Sequence, residues 1–260
     1  MLTRTLTAIV LLAIVVGALF LDPTGWAVKI LIILIAIQAE LELSKIVGSQ
    51  ISFTTCFGVG IILFTKTDWS GASFILPLLA IFSAIGLKLW IRSKHKVLLG
   101  LSQFLWVTST CLALYQLCAV KFPSFWPLLM TAAIPIWCGD TAAIFVGKAF
   151  GKHKLAPSIS PKKTWEGSLG NLLACMIAAF ALGAIFHYPM LPMALLGLNC
   201  GILGQAGDLF ESWLKRKAEM KDSGNILPGH GGVLDRIDSL MATAPISLLI
   251  LQLLVIPGKP

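Results

Sequence analysis

The sequence predicts an all-α fold: a polytopic helical integral membrane protein with about nine transmembrane helices. Hydrophobic residues make up 57% of the 260 residues. Charged residues make up only 12%, against about 25% in soluble domains. The apolar residues come in long unbroken runs, which favours helices over the alternating pattern of an outer-membrane barrel. The composition therefore excludes an ordinary soluble enzyme, a disordered chain and a secreted disulfide scaffold.

Nine apolar segments are candidates for membrane spans. A span needs roughly 20 apolar residues, and the second and third segments have about 14, so we predict seven to nine spans. The first segment could also be a signal peptide, but the many later spans favour a first transmembrane helix. The nine segments are residues 5–21, 26–39, 51–64, 71–91, 97–119, 124–147, 167–187, 189–207 and 233–256.

Basic residues are distributed unequally over the predicted loops. With the N-terminus inside, all but four of the 20 Lys and Arg residues fall on the cytoplasmic side. The positive-inside rule then predicts an N-in/C-out orientation. The net charge of +8 follows from this topology and from attraction to anionic membrane lipids, and it does not indicate nucleic-acid binding. The compact chain favours a bacterial cytoplasmic (inner) membrane.

Polar chemistry is concentrated in the C-terminal half of the chain, which holds most of the 12 acidic residues. We therefore predict two parts. Residues 1–122 form a scaffold of transmembrane helices, and residues 123–260 form a transmembrane catalytic region. Two loops of this region, residues 148–166 and 208–238, face the cytoplasm in the predicted topology.

Asp140 is the first candidate site residue, because it lies inside a predicted span. A carboxylate at that depth costs about 2–3 kcal/mol unless it faces a cavity, a cation or a partner. The sequence leaves two interpretations open. Asp140 either serves the function of the protein, or it makes a structural hydrogen bond or ion pair between helices.

The loop that follows carries a basic cluster. Ser160 and Pro161 fit the N-cap and the first position of a helix, so we predict that a helix begins there. Its free backbone N–H groups, beside Lys162 and Lys163, would form a phosphate site. The alternative is that the cluster only sets the membrane topology.

The segment from residue 208 to residue 215 is the third candidate, because its polar residues have the spacing of one helix face. If the segment is helical, Asp208, Glu211, Ser212 and Lys215 lie on one side of it. An amphipathic helix that leaves the membrane would show the same spacing, and Glu211 with Lys215 is also an ordinary i,i+4 pair.

A glycine-rich segment precedes the last span. Gly229, Gly231 and Gly232 allow a backbone to approach a ligand closely. Asp235 and Asp238 are three residues apart and share a helix face. Carboxylates surrounded by Lys, Arg and backbone donors suit Mg²⁺ and a polyphosphate. Carboxylates at the mouth of a span could instead line a cation pathway.

Residues 212–238, SWLKRKAEMKDSGNILPGHGGVLDRID, resemble the hallmark segment of the phosphatidate cytidylyltransferases, also called CDP-diacylglycerol synthases. The family pattern is matched there without departure. The resemblance covers about residues 135–245 and includes Asp140, Asp208 and the segment 160–167. Ile144 departs from it, because many members carry Tyr there. The matching hallmark positions are Ser212, Lys215, Arg216, Lys221, Asp222, Gly224, Pro228, His230, Gly231, Gly232, Asp235, Arg236 and Asp238.

The resemblance implies a Mg²⁺-dependent reaction in which CTP and phosphatidate give CDP-diacylglycerol and pyrophosphate. A second cation, monovalent or divalent, is left open. The implied metal ligands are Asp208, Asp235 and Asp238, with Asp222 as an alternative to Asp238 in completing or orienting the shell. The implied catalytic residues are Asp208, Lys215, Arg216, Lys221, Asp235 and Arg236. The implied substrate-binding residues are Asp140, Lys162, Lys163, Thr164, Glu166, Ser212, Asp222, His230, Gly231 and Gly232.

Two other function classes stay open at this point. One is a different CTP-dependent lipid enzyme, such as a polyprenol kinase or an archaeal-lipid cytidylyltransferase, which would use another lipid acceptor. The other is a transporter of a phosphorylated or cationic solute, which would show flux without a product. The expected partners are CTP, phosphatidate and membrane lipids, and small residues spread over several spans would also allow a homodimer.

Overall fold

The structure, a computed structural model, describes residues 2–21, 25–49, 75–91, 95–120, 126–229 and 231–255. A π-helical segment, Asn199–Leu203, joins helices α7 and α8. Two short strands, β1 (Lys154–Ala156) and β2 (Ser160–Thr164), pair antiparallel. Helices α1 to α9 cover Leu2–Phe20, Trp26–Val47, Ile75–Trp90, Lys96–Ala119, Leu128–Phe150, Trp165–Phe186, Met190–Leu198, Gly204–Lys217 and Leu234–Val255.

The length and apolar composition of the helices confirm the prediction of a helical membrane protein. Ile9–Phe20 and Ile75–Leu89 are shorter apolar helices. The total of nine spans and the N-in/C-out orientation stay predictions, and the predicted span over 51–64 lies outside the described residues. In the described part of the chain, the helices long and apolar enough to cross a membrane are Lys96–Ala119, Leu128–Phe150, Trp165–Phe186 and Met190–Lys217.

Helix α2 is longer than the sequence predicted. The predicted span ends at residue 39, whereas α2 continues to Val47 and ends at Gly48. The Gly48 φ angle of 68° is a left-handed cap, and its N–H donates to the Ser44 carbonyl. Residue 39 was wrong as the end of the helix, because the carboxylates of Glu40 and Glu42 are buried within the fold and charge does not end the helix there. The extent of the membrane span stays a prediction.

The predicted helix start at Ser160 was also wrong. Ser160 and Pro161 lie in strand β2, and α6 begins only at Trp165, with Thr164 as its N-cap. The cause is pairing with the preceding segment, since Ala156 faces Ser160 across the two strands. Pro161 is tolerated because a two-stranded hairpin leaves one edge of each strand unpaired.

The described chain divides into two compact units. The first unit combines residues 1–119 with 214–237, and the second combines 120–213 with 238–260. Helices α8 and α9 therefore each contribute residues to both units. The sequence-based division at residue 122 stays a prediction.

In the first unit, α2 packs on α4, α3 packs on α4, and α1 packs on α2. Small apolar residues such as Ala36 and Ala39 of α2 are buried. A buried polar contact fixes α2 to α4: the Gln103 amide donates to the Ser44 hydroxyl at 2.6 Å and to the Glu40 carbonyl at 3.3 Å. This contact ties the N-terminal half of α4 to the C-terminal half of α2.

In the second unit, α6 lies against α5, α7 and the π-helical segment. Glycine allows the close approach, since a Cβ at Gly170 would lie 2.8 Å from the Val146 side chain. The Asn199 amide donates to the Thr243 carbonyl at 3.2 Å and to the Ser247 hydroxyl at 2.9 Å. These bonds tie the π-helical segment to α9.

Candidate active site

The first unit holds a cluster centred on Asp235, in the first turn of α9. Lys215 Nζ lies 2.6 Å from Asp235 Oδ1 in a salt bridge whose two side chains are about nine-tenths buried. The other oxygen, Oδ2, accepts hydrogen bonds from the backbone N–H groups of Ser223 and Gly232, at 3.0 and 2.9 Å. The Asp235 carboxylate is therefore held by a cation and by two backbone donors of the preceding loop.

Glycine is required beside this carboxylate. Gly231 has a φ angle of +81°, and a Cβ there would fall 2.6 Å from Asp235 Oδ2. Both backbone strain and space therefore exclude a side chain. The structure shows that Gly231 and Gly232 approach Asp235, and the predicted approach of the glycines to a ligand stays a prediction.

A cleft of about 410 Å³ opens on the loop that precedes α9. Its size lies within the range of small-molecule sites, roughly 300–1,000 Å³. The lining is mainly polar and includes two cationic side chains, Lys221 and Arg236, together with Asp222. Four of its seven lining residues belong to the hallmark segment's fixed positions. The cleft is lined by Lys221, Asp222, Asn225, Leu227, Gly229, Gly231 and Arg236.

The second unit holds a cluster centred on Asp208, in α8. Lys163 Nζ lies 2.7 Å from Asp208 Oδ2, so β2 and α8 are joined by an ion pair. The Ser212 hydroxyl donates to Asp208 Oδ1 at 3.3 Å, one turn along the same helix. Asp208 and Ser212 thus lie on one side of this helix, as predicted, and Asp208 is paired with the basic hairpin.

Asp140 belongs to the same cluster. The Asn171 amide of α6 donates to Asp140 Oδ1 at 3.1 Å, which is the interhelical bond that the sequence left open. Asp140 also lies within electrostatic reach of Asp208 and Lys163. The structure therefore brings two of the predicted acidic residues and one predicted lysine to the same region of the second unit.

Thr164 and Glu166 shape the end of the hairpin. The Thr164 hydroxyl accepts a hydrogen bond from the Gly167 N–H at 3.1 Å and so caps α6. Glu166 Oε1 lies 2.7 Å from His153 Nδ1, and the carboxylate also accepts from the His153 backbone N–H at 3.3 Å. Both side chains close the hairpin onto the start of α6, and a role in substrate binding stays a prediction.

The remaining predicted site residues that the structure describes are Arg216, Asp238 and Lys162. Arg216 donates to the Met220 carbonyl at 3.0 Å, and Asp238 Oδ1 accepts from the Ser239 N–H at 2.7 Å. Lys162 is exposed on β2. His230 lies outside the described residues.

Comparison with known proteins shows what the chain is related to. The model of the cytidylyltransferase family matches residues 2–254. A phosphatidate cytidylyltransferase from Staphylococcus aureus (strain COL) is 34% identical over 266 residues, covering 96% of this chain and 98% of the relative. The chain belongs to the cytidylyltransferase family. It is therefore an enzyme of the nucleotidyltransferase class, and the resemblance found in residues 212–238 is confirmed.

Two further relatives match over a shorter stretch. A phosphatidate cytidylyltransferase from Bacillus subtilis (strain 168) is 48% identical over 124 residues, 47% of this chain and 46% of the relative. One from Brucella suis biovar 1 (strain 1330) is 43% identical over 126 residues, 48% of this chain and 47% of the relative. These alignments thus span about half the length of both relatives.

The residues that are predicted to bind Mg²⁺ have side chains of a suitable chemical type. The predicted ligands Asp208, Asp235 and Asp238 all offer carboxylate oxygens, which Mg²⁺ prefers. Asp208 and Asp235 each form an ion pair with a lysine. Among the described residues, no group of three or more His, Cys, Asp or Glu side chains is gathered as a metal site. Mg²⁺ commonly binds through one or two carboxylates with substrate phosphates and water, so the donors are suitable in type, and Mg²⁺ binding stays a prediction.

Sequence reasoning missed two polar residues that contact the candidate site. Asn171 bonds Asp140, and Glu42 of α2 bonds the loop that precedes α9. Glu42 is fully buried. The available signal was its position, since a carboxylate that continues an apolar helix must find partners.

Proposed function

We propose that this membrane enzyme transfers the cytidylyl group of CTP to phosphatidate and gives CDP-diacylglycerol and pyrophosphate. The family and the full-length relative support this reaction. The observation that carries it at the level of residues is the polar cleft of the first unit, because Lys221, Asp222, Gly231 and Arg236 are hallmark positions and line one cavity. A cleft with two cations beside it suits a polyphosphate.

The chemistry is a direct displacement. A phosphate oxygen of phosphatidate attacks the α-phosphorus of CTP, a new P–O bond forms, and the bond to the β-phosphate oxygen breaks. Pyrophosphate leaves with that bond's electron pair. The nucleophile is already anionic, so the protein supplies position and charge neutralisation rather than a nucleophile of its own.

The protein's cations would neutralise the phosphates. We assign Lys221 and Arg236 to CTP, because they line the cleft. Lys215 and Arg216 would bind phosphates of either substrate. Lys162, Lys163 and Thr164 would approach the polyphosphate or the lipid headgroup. His230 and the Gly231–Gly232 backbone would face CTP, and Asp140, Glu166, Ser212 and Asp222 would complete the substrate-binding set.

Mg²⁺ would be held by Asp208, Asp235 and Asp238, an assignment that rests on the sequence pattern and on their carboxylate chemistry. When bound, the ion neutralises negative charge on the phosphates of CTP. A second cation and a homodimer are compatible with this proposal and are not required by it.

The reaction would occur at the cytoplasmic face of a bacterial inner membrane. CTP reaches the site from the cytosol, while the acyl chains of phosphatidate stay in the bilayer between helices. The concentration of basic residues in the predicted cytoplasmic loops supports this placement.

Pyrophosphate release by the detergent-purified protein tests the proposal. CTP, Mg²⁺ and phosphatidate are each omitted in turn, and the lipid phase is analysed for CDP-diacylglycerol. We expect release only when all three are present. Absence of release from folded protein, in every detergent and lipid tried, would contradict the proposal, and other lipid acceptors and solute flux would then be measured.

A further inference from the structure

Glu42, near the C-terminal end of α2, is buried in the first unit and is absent from the proposed catalytic set. Its carboxylate accepts four hydrogen bonds. Oε1 accepts from the Gln38 amide at 2.7 Å and from the Val233 N–H at 3.0 Å. Oε2 accepts from the Ser223 hydroxyl and from the Leu234 N–H, both at 2.8 Å. All of the accepting positions of a carboxylate are thereby used.

Three of these donors belong to the loop that carries the cleft. Ser223 lies near its beginning, and Val233 and Leu234 lie at its end, where α9 starts. Val233 and Leu234 contribute backbone N–H groups that the start of a helix leaves without partners within the helix. One side chain of α2 therefore anchors the loop at both ends.

Close packing shows that the loop is shaped around this carboxylate. A Cβ at Gly224 would lie 2.8 Å from Glu42 Oε1, and a Cβ at Gly232 would lie 2.6 Å from the carboxylate carbon. Both glycines are therefore needed for the loop to reach Glu42. Gly232 also donates to Asp235 from its backbone N–H, so Glu42 and Asp235 hold the same stretch of backbone.

We propose that Glu42 is a positioning residue for CTP binding. It sets the separation of the loop's two ends and so aligns Lys221 and Asp222 with Gly231 and Arg236 across the cleft. The inference rests on the proposed function, because it takes the cleft as the CTP site. Glu42 itself makes no contact with the reacting atoms in this scheme.

Glu42→Gln tests the proposal, because a glutamine side chain has nearly the same volume as a glutamate side chain. The amide has a single accepting oxygen, so its NH₂ group must face donors that the carboxylate accepts from. We expect the KM for CTP to rise roughly tenfold or more, since small misplacements at a site can cost up to about a hundredfold. The KM for phosphatidate stays unchanged, and Glu42→Asp, which keeps both oxygens, restores part of the loss.

Hydrogen exchange provides a readout that does not depend on activity. Val233 and Leu234 bond different oxygens of Glu42, and the amide of Glu42→Gln keeps only one of these acceptors. At least one of the two backbone amide hydrogens should therefore exchange faster in Glu42→Gln than in the wild type. Ser44→Ala is the matched control, since Ser44 is also buried on α2 but contacts Gln103 of α4. We expect this control to leave the KM for CTP and the exchange of the loop unchanged.

Several outcomes would overturn the proposal. These are an unchanged KM for CTP in Glu42→Gln, an equal rise in both KM values, unchanged exchange of the loop, or the same effects in Ser44→Ala. If Glu42→Gln does not fold, Ser223→Ala replaces it, because it removes one donor to Oε2 and should shift the same measurements to a smaller extent.

The design separates this inference from the proposed function. If the wild type makes no CDP-diacylglycerol, the proposed function fails, while hydrogen exchange and CTP binding by calorimetry still test the anchoring. If the wild type makes the product and Glu42→Gln behaves like it, only the inference fails.

Discussion

At the scale of single residues, Asp235 is held by a salt bridge and by two backbone N–H groups. Asp235→Asn keeps the shape and one acceptor for the backbone donors, but it removes the charge opposite Lys215 Nζ. We expect turnover to fall about 10²–10³-fold, the usual cost of losing one charge-stabilising group. Pyrophosphate release measures this, and the elution profile in detergent checks that the variant is folded.

Lys88→Gln is the matched control for Asp235→Asn. Lys88 is an exposed lysine near the end of α3, where a long side chain can extend into the headgroup region. Its substitution should leave turnover near the wild-type rate. Residual activity above about a tenth in Asp235→Asn would contradict a role for Asp235 in charge stabilisation or metal binding.

At the scale of elements, stability measurements can distinguish a helix that begins at Ser160, as the sequence predicted, from one that begins at Trp165, as the structure shows. Thr164→Ala removes the N-cap that accepts from Gly167, and we expect a loss of about 1 kcal/mol in the free energy of unfolding. Ser160→Ala should lower the free energy of unfolding by only a few tenths of a kcal/mol, because Ser160 lies in β2 and caps no helix. Thermal unfolding in detergent measures both.

Thr164→Ser is the control for this pair, because serine also caps helices well. It should unfold close to the wild-type temperature. A larger loss in Ser160→Ala than in Thr164→Ala would place the helix start at Ser160 instead.

A second element-scale prediction concerns the approach of α8 to α9. A Cβ at Gly207 would lie 2.7 Å from the Ala242 Cβ and 2.8 Å from the Asp238 carbonyl oxygen. Gly207→Ala should therefore push the helices apart and cost about 1–3 kcal/mol of stability. It should also lower turnover, because Asp208 and Asp238 lie on these two helices at this point.

Gly100→Ala serves as its control. Gly100 lies inside α4 with no atom within 4 Å of its added Cβ, and alanine is the better helix former by about 1 kcal/mol. A stability equal to or slightly above that of the wild type is expected there. If Gly207→Ala behaves in the same way in thermal unfolding, the close approach of α8 to α9 is wrong.

At the scale of the whole molecule, the N-in/C-out orientation remains to be measured. Alkaline phosphatase fused after residue 260 should be active, because it folds outside the cytoplasm, while green fluorescent protein at that position should stay dark. Fusions after residue 94, a predicted cytoplasmic position, should show the opposite pattern. Fluorescence at residue 260 with inactive phosphatase would reverse the predicted topology.

The sequence alone predicted a helical membrane protein, because this class of protein depends on local composition. Runs of apolar residues as long as α4, α5 and α6 can be satisfied only in a membrane or a very large core. The hallmark segment was readable for a different reason. Its fixed polar residues stand close together in the chain, so the resemblance to the family hallmark grouped Lys215, Asp235 and their neighbours as a set.

The folded structure decided what depends on pairing between segments, whether near or distant in the chain. Ser160–Thr164 is a strand because it pairs with residues 154–156, although its own residues favour a helix start. Glu42 anchors a loop 181 and 192 positions away in sequence, at Ser223 and Leu234. Local spacing could not reveal these partners, because the free energy that buries a carboxylate comes from donors supplied by the folded chain.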